Sequence, residues 1–206
     1  MPILSVLRHR AGALLSGIAS CFATFVLFYL MTVFALSWGT SALGYPRGKF
    51  LLMQLGCVSL FAITIPISAR LAEHGRRRVM LTVTAAIAVF GIFLGPMFAA
   101  GTPGAVAMMA LGLSLMGITY APIGTLVSEL FPTPVRYTGS SLAFSMAGIL
   151  GASLAPTIAT WLAKHYGINF VGYYLSAAAL ITFAGLLSIR ETRDTNLAAR
   201  NPSRGE

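Results

Sequence analysis

This sequence has little charge. Its 206 residues include 14 Lys or Arg and 5 Asp or Glu, or 9% charged, against about 25% in a soluble domain. Five stretches contain no Asp, Glu, Lys or Arg at all: 11–46, 50–69, 79–128, 137–163 and 165–189. Cysteine is scarcer still, at two residues. Cys21 and Cys57 both fall inside apolar stretches, so no disulfide framework is implied. The stretches also lack the alternation of apolar and polar residues that barrel strands show, which excludes a membrane β-barrel.

What is present is continuous apolar sequence, 57% of the chain, with a mean hydropathy of +0.82. A hydrocarbon core about 30 Å thick is crossed by roughly 20 residues of helix. In lipid, a helix satisfies its own backbone polar groups. The stretch 79–128 is too long for one crossing and breaks at Gly101-Thr102-Pro103-Gly104, a strong turn signal. Six spans follow, near 13–37, 50–69, 79–100, 105–128, 138–163 and 168–189. The expected fold is an all-α membrane protein of six transmembrane helices over residues 1–190, with a polar tail at 191–206. No soluble domain or low-complexity tract is visible.

The distribution of cations sets the orientation. Six crossings place Arg8, Arg10, Arg70, Arg76, Arg77, Arg78, Arg136, Arg190, Arg193, Arg200 and Arg204 on one side, and only Arg47, Lys49 and Lys164 on the other. Eleven against three puts both termini in the cytoplasm of a bacterial inner membrane. Trp38, Tyr45, Tyr137, Trp161 and Tyr166 sit at span ends, as an aromatic belt would. The net charge of +9 is therefore a membrane-junction feature, not a nucleic-acid footprint. Arg8 and Arg10 before an apolar run imitate a secretory signal. The run continues to about residue 37, however, longer than a cleaved hydrophobic region.

Within the spans, Pro66, Pro96, Pro122 and Pro156 permit bends. Gly91 with Gly95, and Gly148 with Ala152, form small-xxx-small pairs suited to close helix packing. Ionisable groups are missing from the span centres. Glu73 and Glu129 fall at span edges, and His9, His74 and His165 fall in loops. An intramembrane enzyme would need a nucleophile with its base, a metal triad or paired acids at depth. None is present, so neither catalysis nor a cofactor is expected.

Two loops on the arginine-rich side carry the remaining chemistry. One reads Ser68-Ala69-Arg70-Leu71-Ala72-Glu73-His74-Gly75-Arg76-Arg77-Arg78, and the other runs from Ser128-Glu129 through Pro132 and Pro134 to Arg136-Tyr137-Thr138-Gly139. Glu73 can pair with a nearby arginine or stabilise the following helix start. Glu129 ends a membrane helix and needs a partner or water. Arg136 or an arginine of the first loop is the natural choice. Such a cluster is either a latch for one conformation or a static surface pair worth about 0–1 kcal/mol. These residues leave the two readings open.

The first loop resembles the signature loop of the major facilitator superfamily, roughly G-x-x-x-D-R-x-G-R-R. The second, continuing into Ser140-Ser141-Leu142 and later Gly148-Ile149-Leu150-Gly151-Ala152-Ser153-Leu154-Ala155-Pro156, is similar to the metabolite:proton symporter branch. That resemblance implies the C-terminal six-helix half of a twelve-helix carrier. By resemblance, Glu129 and Arg136 match a Glu-x6-Arg pair, with Arg76 and Arg77 as neighbours. The loop departs from the motif. Ala72 stands at the usual acidic position, the acid comes one residue later as Glu73, and Pro134 replaces a frequent basic residue.

Such carriers join two six-helix halves, with substrate near the midplane between them. The implied function is transport of a small polar metabolite, an organic acid or similar, by proton symport. The implied partners are the bilayer, the metabolite, and either a separate N-terminal half or a second copy of this chain. A transport-inactive remnant or a membrane assembly partner is the alternative. Candidate cavity groups are uncharged polar residues at least a turn inside a span: Tyr29, Thr32, Gln54 and Tyr120. For each, interhelical hydrogen bonding is the plainer role. Tyr173 and Tyr174 lie in the last span, peripheral by resemblance.

Overall fold

The computed structural model describes residues 10–73 and 75–189. His74, Arg8, His9 and everything from Arg190 onward, including the expected polar tail, lie outside the described residues. Among the described residues six helices are long and apolar enough to cross a membrane: α1 (Ala11–Ser41), α2 (Arg47–Ala72), α3 (Arg76–Ala99), α4 (Gly101–Glu129), α5 (Thr133–His165) and α6 (Ile168–Ser188). No strand occurs among the described residues.

The helices outrun the apolar stretches. α2 takes Arg47, Lys49 and Arg70 into its ends and reaches 26 residues. At 1.5 Å per residue that is about 39 Å, so its charged ends project past a hydrocarbon core about 30 Å thick. The expected turn at 101–104 shrinks to almost nothing. α3 ends at Ala99, α4 begins at Gly101, and Gly101 takes φ +79°, a left-handed value that favours glycine. Pro103 falls in the first turn of α4, where the missing N–H removes no helical bond.

Two departures from regular α-helix were not legible in the sequence. α1 contains a π turn, Leu30–Phe34, and α5 contains another, Leu150–Leu154. The second lies just before Pro156, whose ring would press on the carbonyl of Ala152 in a regular helix. Widening the turn relieves that clash. Pro66, Pro96 and Pro122 lie inside helices that continue through them.

Packing follows the small residues. Lipid offers no hydrophobic drive between helices, so backbones must approach closely enough for dispersion and polar contacts to hold them. α3 and α6 pack most extensively, together with α2 and α4. Gly91 faces Gly172, and a Cβ on Gly91 would stand 2.6 Å from the Gly172 carbonyl oxygen. Gly95 faces Asn169 in the same way, and Ser176 Oγ donates to the Ala88 carbonyl at 2.7 Å. In α5 the tight contact with α1 belongs to Gly151, pressed on Phe25, whereas Gly148 only reaches ordinary contact with that ring.

α1 lies centrally, touching α4, α5 and α6. One of its backbone rungs, in the half nearer the arginine-rich end, is crossed by a neighbour. Thr182 of α6 accepts the Ala23 N–H at 2.9 Å and donates to the Ala19 carbonyl at 2.6 Å. Thr24 and Thr119 join α1 to α4 through their hydroxyls at 3.2 Å. Burial is uneven. In their most apolar windows 44–56% of the residues of α1, α3, α4 and α6 are buried, but only 17% in α2 and 28% in α5.

Candidate functional site

The arginine-rich end is built by the α2–α3 turn, the end of α4 and the start of α5. Gly75, at φ +142°, makes the turn that lets α3 begin at Arg76. Arg76, Arg77 and Arg78 then occupy the first turn of α3. A cation there opposes the helix dipole, and Glu129, in the last turn of α4, opposes its own helix dipole too. The helices run antiparallel, so each charge lies beside the favourable end of the other helix. Arg76 Nη1 and Glu129 Oε1 form an ion pair across that gap. Both side chains are well exposed, 45% and 39%, so the pair by itself contributes about 0–1 kcal/mol.

Arg77 serves a different helix. Its Nε donates to the Leu186 carbonyl at 3.0 Å and its Nη2 to the Leu187 carbonyl at 3.1 Å. Those carbonyls belong to the last turn of α6, where no i+4 donors follow among the described residues and Leu186 otherwise accepts only a tight-turn bond from the Ile189 N–H at 3.3 Å. Arg136 closes the proline-broken turn locally, donating from Nε to the Phe131 carbonyl at 3.3 Å. Glu73 caps α2 at an exposed position and makes no ion pair among the described residues. Of the five residues picked out in the two loops, the structure therefore joins Arg76 with Glu129. It gives Arg77 and Arg136 to backbone carbonyls and leaves Glu73 apart.

The four cavity candidates also separate. Gln54 is buried, 8% exposed, and its Nε2 donates to the carbonyls of Met31 at 2.8 Å and Thr32 at 2.9 Å. Thr32 is half-buried and returns its hydroxyl to Phe28 of its own helix at 2.7 Å. Tyr29 stands edge-on to Phe28, with ring centres 5.1 Å apart. Tyr120 is 51% exposed and edge-on to Phe61 of α2 at 5.7 Å. No hydrogen bond joins Tyr29, Thr32 and Tyr120 to one another among the described residues. An open depression of about 540 Å³ runs along the far end of α5, lined by Pro156, Thr157, Thr160, Trp161, Lys164 and His165, and touches none of these candidates. Among the described residues no group of His, Cys, Asp and Glu is placed to hold a metal ion.

Residues 13–205 match the Major Facilitator Superfamily. The chain belongs to the Major Facilitator Superfamily. Its relatives in that superfamily include the inner membrane metabolite transport protein YhjE of Escherichia coli K12, 42% identical over 204 residues, covering 96% of this chain and 46% of the relative. The shikimate transporter of the same organism is 28% identical over 94% of this chain and 45% of its own length. The citrate-proton symporter of Klebsiella pneumoniae is 27% identical over 90% of this chain and 42% of its own. This superfamily member thus spans a little under half the length of the relatives it matches. No solved structure matches it. The superfamily match and the six lipid-length helices make this a multi-pass membrane protein, and the relatives named here are transport proteins.

Proposed function

We propose that this chain forms one six-helix half of a carrier that moves a small polar metabolite, an organic acid or similar, by proton symport. The complementary half would dock on α2 and α5. The observation that carries the reading is the uneven burial. The two helices least covered by their own chain expose long apolar faces, including Leu52, Leu55 and Ile63 on α2 and Met146, Ile149 and Leu154 on α5. The relatives are about twice as long, which supplies an occupant of the right size. A separate N-terminal half is the favoured occupant, and a second copy of this chain is the competing one.

Proton coupling then draws on the other half. Membrane proton relays use buried Asp, Glu or His. Both acids outside the tail of this sequence, Glu73 and Glu129, are at helix ends. Tyr29, Thr32 and Tyr120 are the proposed cavity-wall residues; Gln54, the fourth candidate, gives its amide hydrogens to α1 carbonyls and is proposed below to act through that helix. Glu73, Arg76, Arg77, Glu129 and Arg136 are the proposed cytoplasmic cluster that biases one conformation, with both chain termini in the cytoplasm of the inner membrane.

The test is uptake into liposomes under an imposed pH gradient, using citrate and shikimate as probes, with the chain alone and with the N-terminal half of a relative added. The expected result is uptake only with both halves. Gradient-driven uptake by the chain alone, as a monomer, would overturn the proposal.

A further inference from the structure

We infer that Gln54 is a positioning residue: its amide holds α1 in the π register and so decides which face of the segment Ala35–Ser41 points away from the bundle. The bonding pattern carries this. In a regular helix the Ala35 N–H would bond the Met31 carbonyl, four residues back. In the π turn it bonds the Leu30 carbonyl instead. The Met31 carbonyl thereby loses its regular partner inside a buried part of α1, where an unsatisfied backbone group is costly. Gln54 supplies the missing donor. Its two amide hydrogens go to the Met31 and Thr32 carbonyls, which occupies the whole NH2 group.

The surroundings fix the same register a second time. The buried residues of α2 are few, and Phe50, Gln54 and Cys57 form one stripe at helical spacing. Phe50 lies under Gly39, where a Cβ would collide with its ring. Gln54 thus grips α1 before the segment, and Phe50 accepts Gly39 within it. With the π turn in place, Ala35 and Gly39 are buried and Val33, Ser37 and Ser41 are exposed. Were α1 regular throughout, everything after the turn would rotate by roughly 100°, one residue at 3.6 residues per turn. Gly39 would leave Phe50, and Leu36 and Thr40 would take the places of Ser37 and Ser41. Gln54 therefore acts through α1, selecting a serine-bearing outer face. That this face meets substrate or the second half rests on the half-carrier reading. The register itself does not, and it is measured without transport.

The experiment labels single cysteines in the full chain, in nanodiscs, with a polar maleimide, after Cys21→Ala and Cys57→Ala. Ser37→Cys and Ser41→Cys react faster than Leu36→Cys and Thr40→Cys when Gln54 is present. Gln54→Leu reverses that order. Deleting Val33 as well removes the extra residue of the π turn and restores the original order without any amide, a rescue that lost packing alone would not show. An unchanged order in folded Gln54→Leu overturns the inference. If Gln54→Leu does not fold, the double variant decides. Recovery of folding with the original order supports the inference, and failure to recover overturns it.

Discussion

The Arg77 guanidinium donates to the Leu186 carbonyl at 3.0 Å and so ties the first turn of α3 to the last turn of α6. A second bond to Leu187 makes the contact two-pronged. The arginine-rich turn is thus more than a positive fringe at a membrane edge. One of its guanidinium groups neutralises the exposed carbonyl end of a helix distant in sequence, and the next pairs with the acid closing α4.

Arg77→Ala is expected to lower the stability of the bundle by about 1.5–3 kcal/mol, the range for hydrogen bonds made by charged groups. Arg77→Lys should recover part of it, because an ammonium lacks the planar fork. Unfolding in mixed micelles with urea or SDS measures the change. Faster amide exchange near Ile189 should accompany it.

Glu129→Gln separates the static reading of the ion pair from the latch. The pair is exposed, so the loss of stability should stay within about 1 kcal/mol. If the pair biases one conformation of the assembled carrier, transport with the second half should fall while stability barely moves. The exchanged pair Arg76→Glu with Glu129→Arg should restore it, since the ion pair is kept and each charge then lies at the favourable end of its own helix. Initial uptake rates set beside the unfolding midpoint of each variant check this.

Gly91→Leu and Gly148→Ala should differ sharply. The first drives a side chain into Gly172 and Ser176 of α6, an overpacking expected to cost about 1–3 kcal/mol. The second places a methyl 3.8 Å from the nearest Phe25 atom, so its effect should lie within about 0.5 kcal/mol. Thermal unfolding of the two variants in the same detergent decides between them.

Thr182→Val keeps the shape and removes the hydroxyl lying across the Ala19–Ala23 rung of α1. The rung can then close on itself, so the loss should be about 1 kcal/mol or less, as for other hydrogen bonds between membrane helices. Amide exchange at Ala23 before and after substitution checks the local effect.

How much of this was legible beforehand depends on how local the cause is. The Gly101 break, the turn at Gly75 and the close packing at Gly91 and Gly95 are visible because each rests on glycine's missing Cβ. The π turn at Leu30–Phe34 is not visible in α1's own residues, since the group that satisfies it sits on α2. Gln54 was readable as an amide able to donate at membrane depth, but its partners were not. The acid–base pairing of Glu129 was open between Arg136 and the earlier loop, because both are close in sequence or by resemblance. Helix antiparallelism, not sequence distance, brought Arg76 to it.

Sequence by itself determined the number of crossings and the distribution of charge between the two ends. Both depend on transferring single residues between water and lipid, which each residue does independently of its neighbours. Only the tertiary structure decided which arginine meets which carbonyl, which glycine meets which helix, and that α1 carries a turn held open by Gln54. Those outcomes depend on how helices far apart in sequence are rotated against one another, and that rotation is set by the packing of all six together.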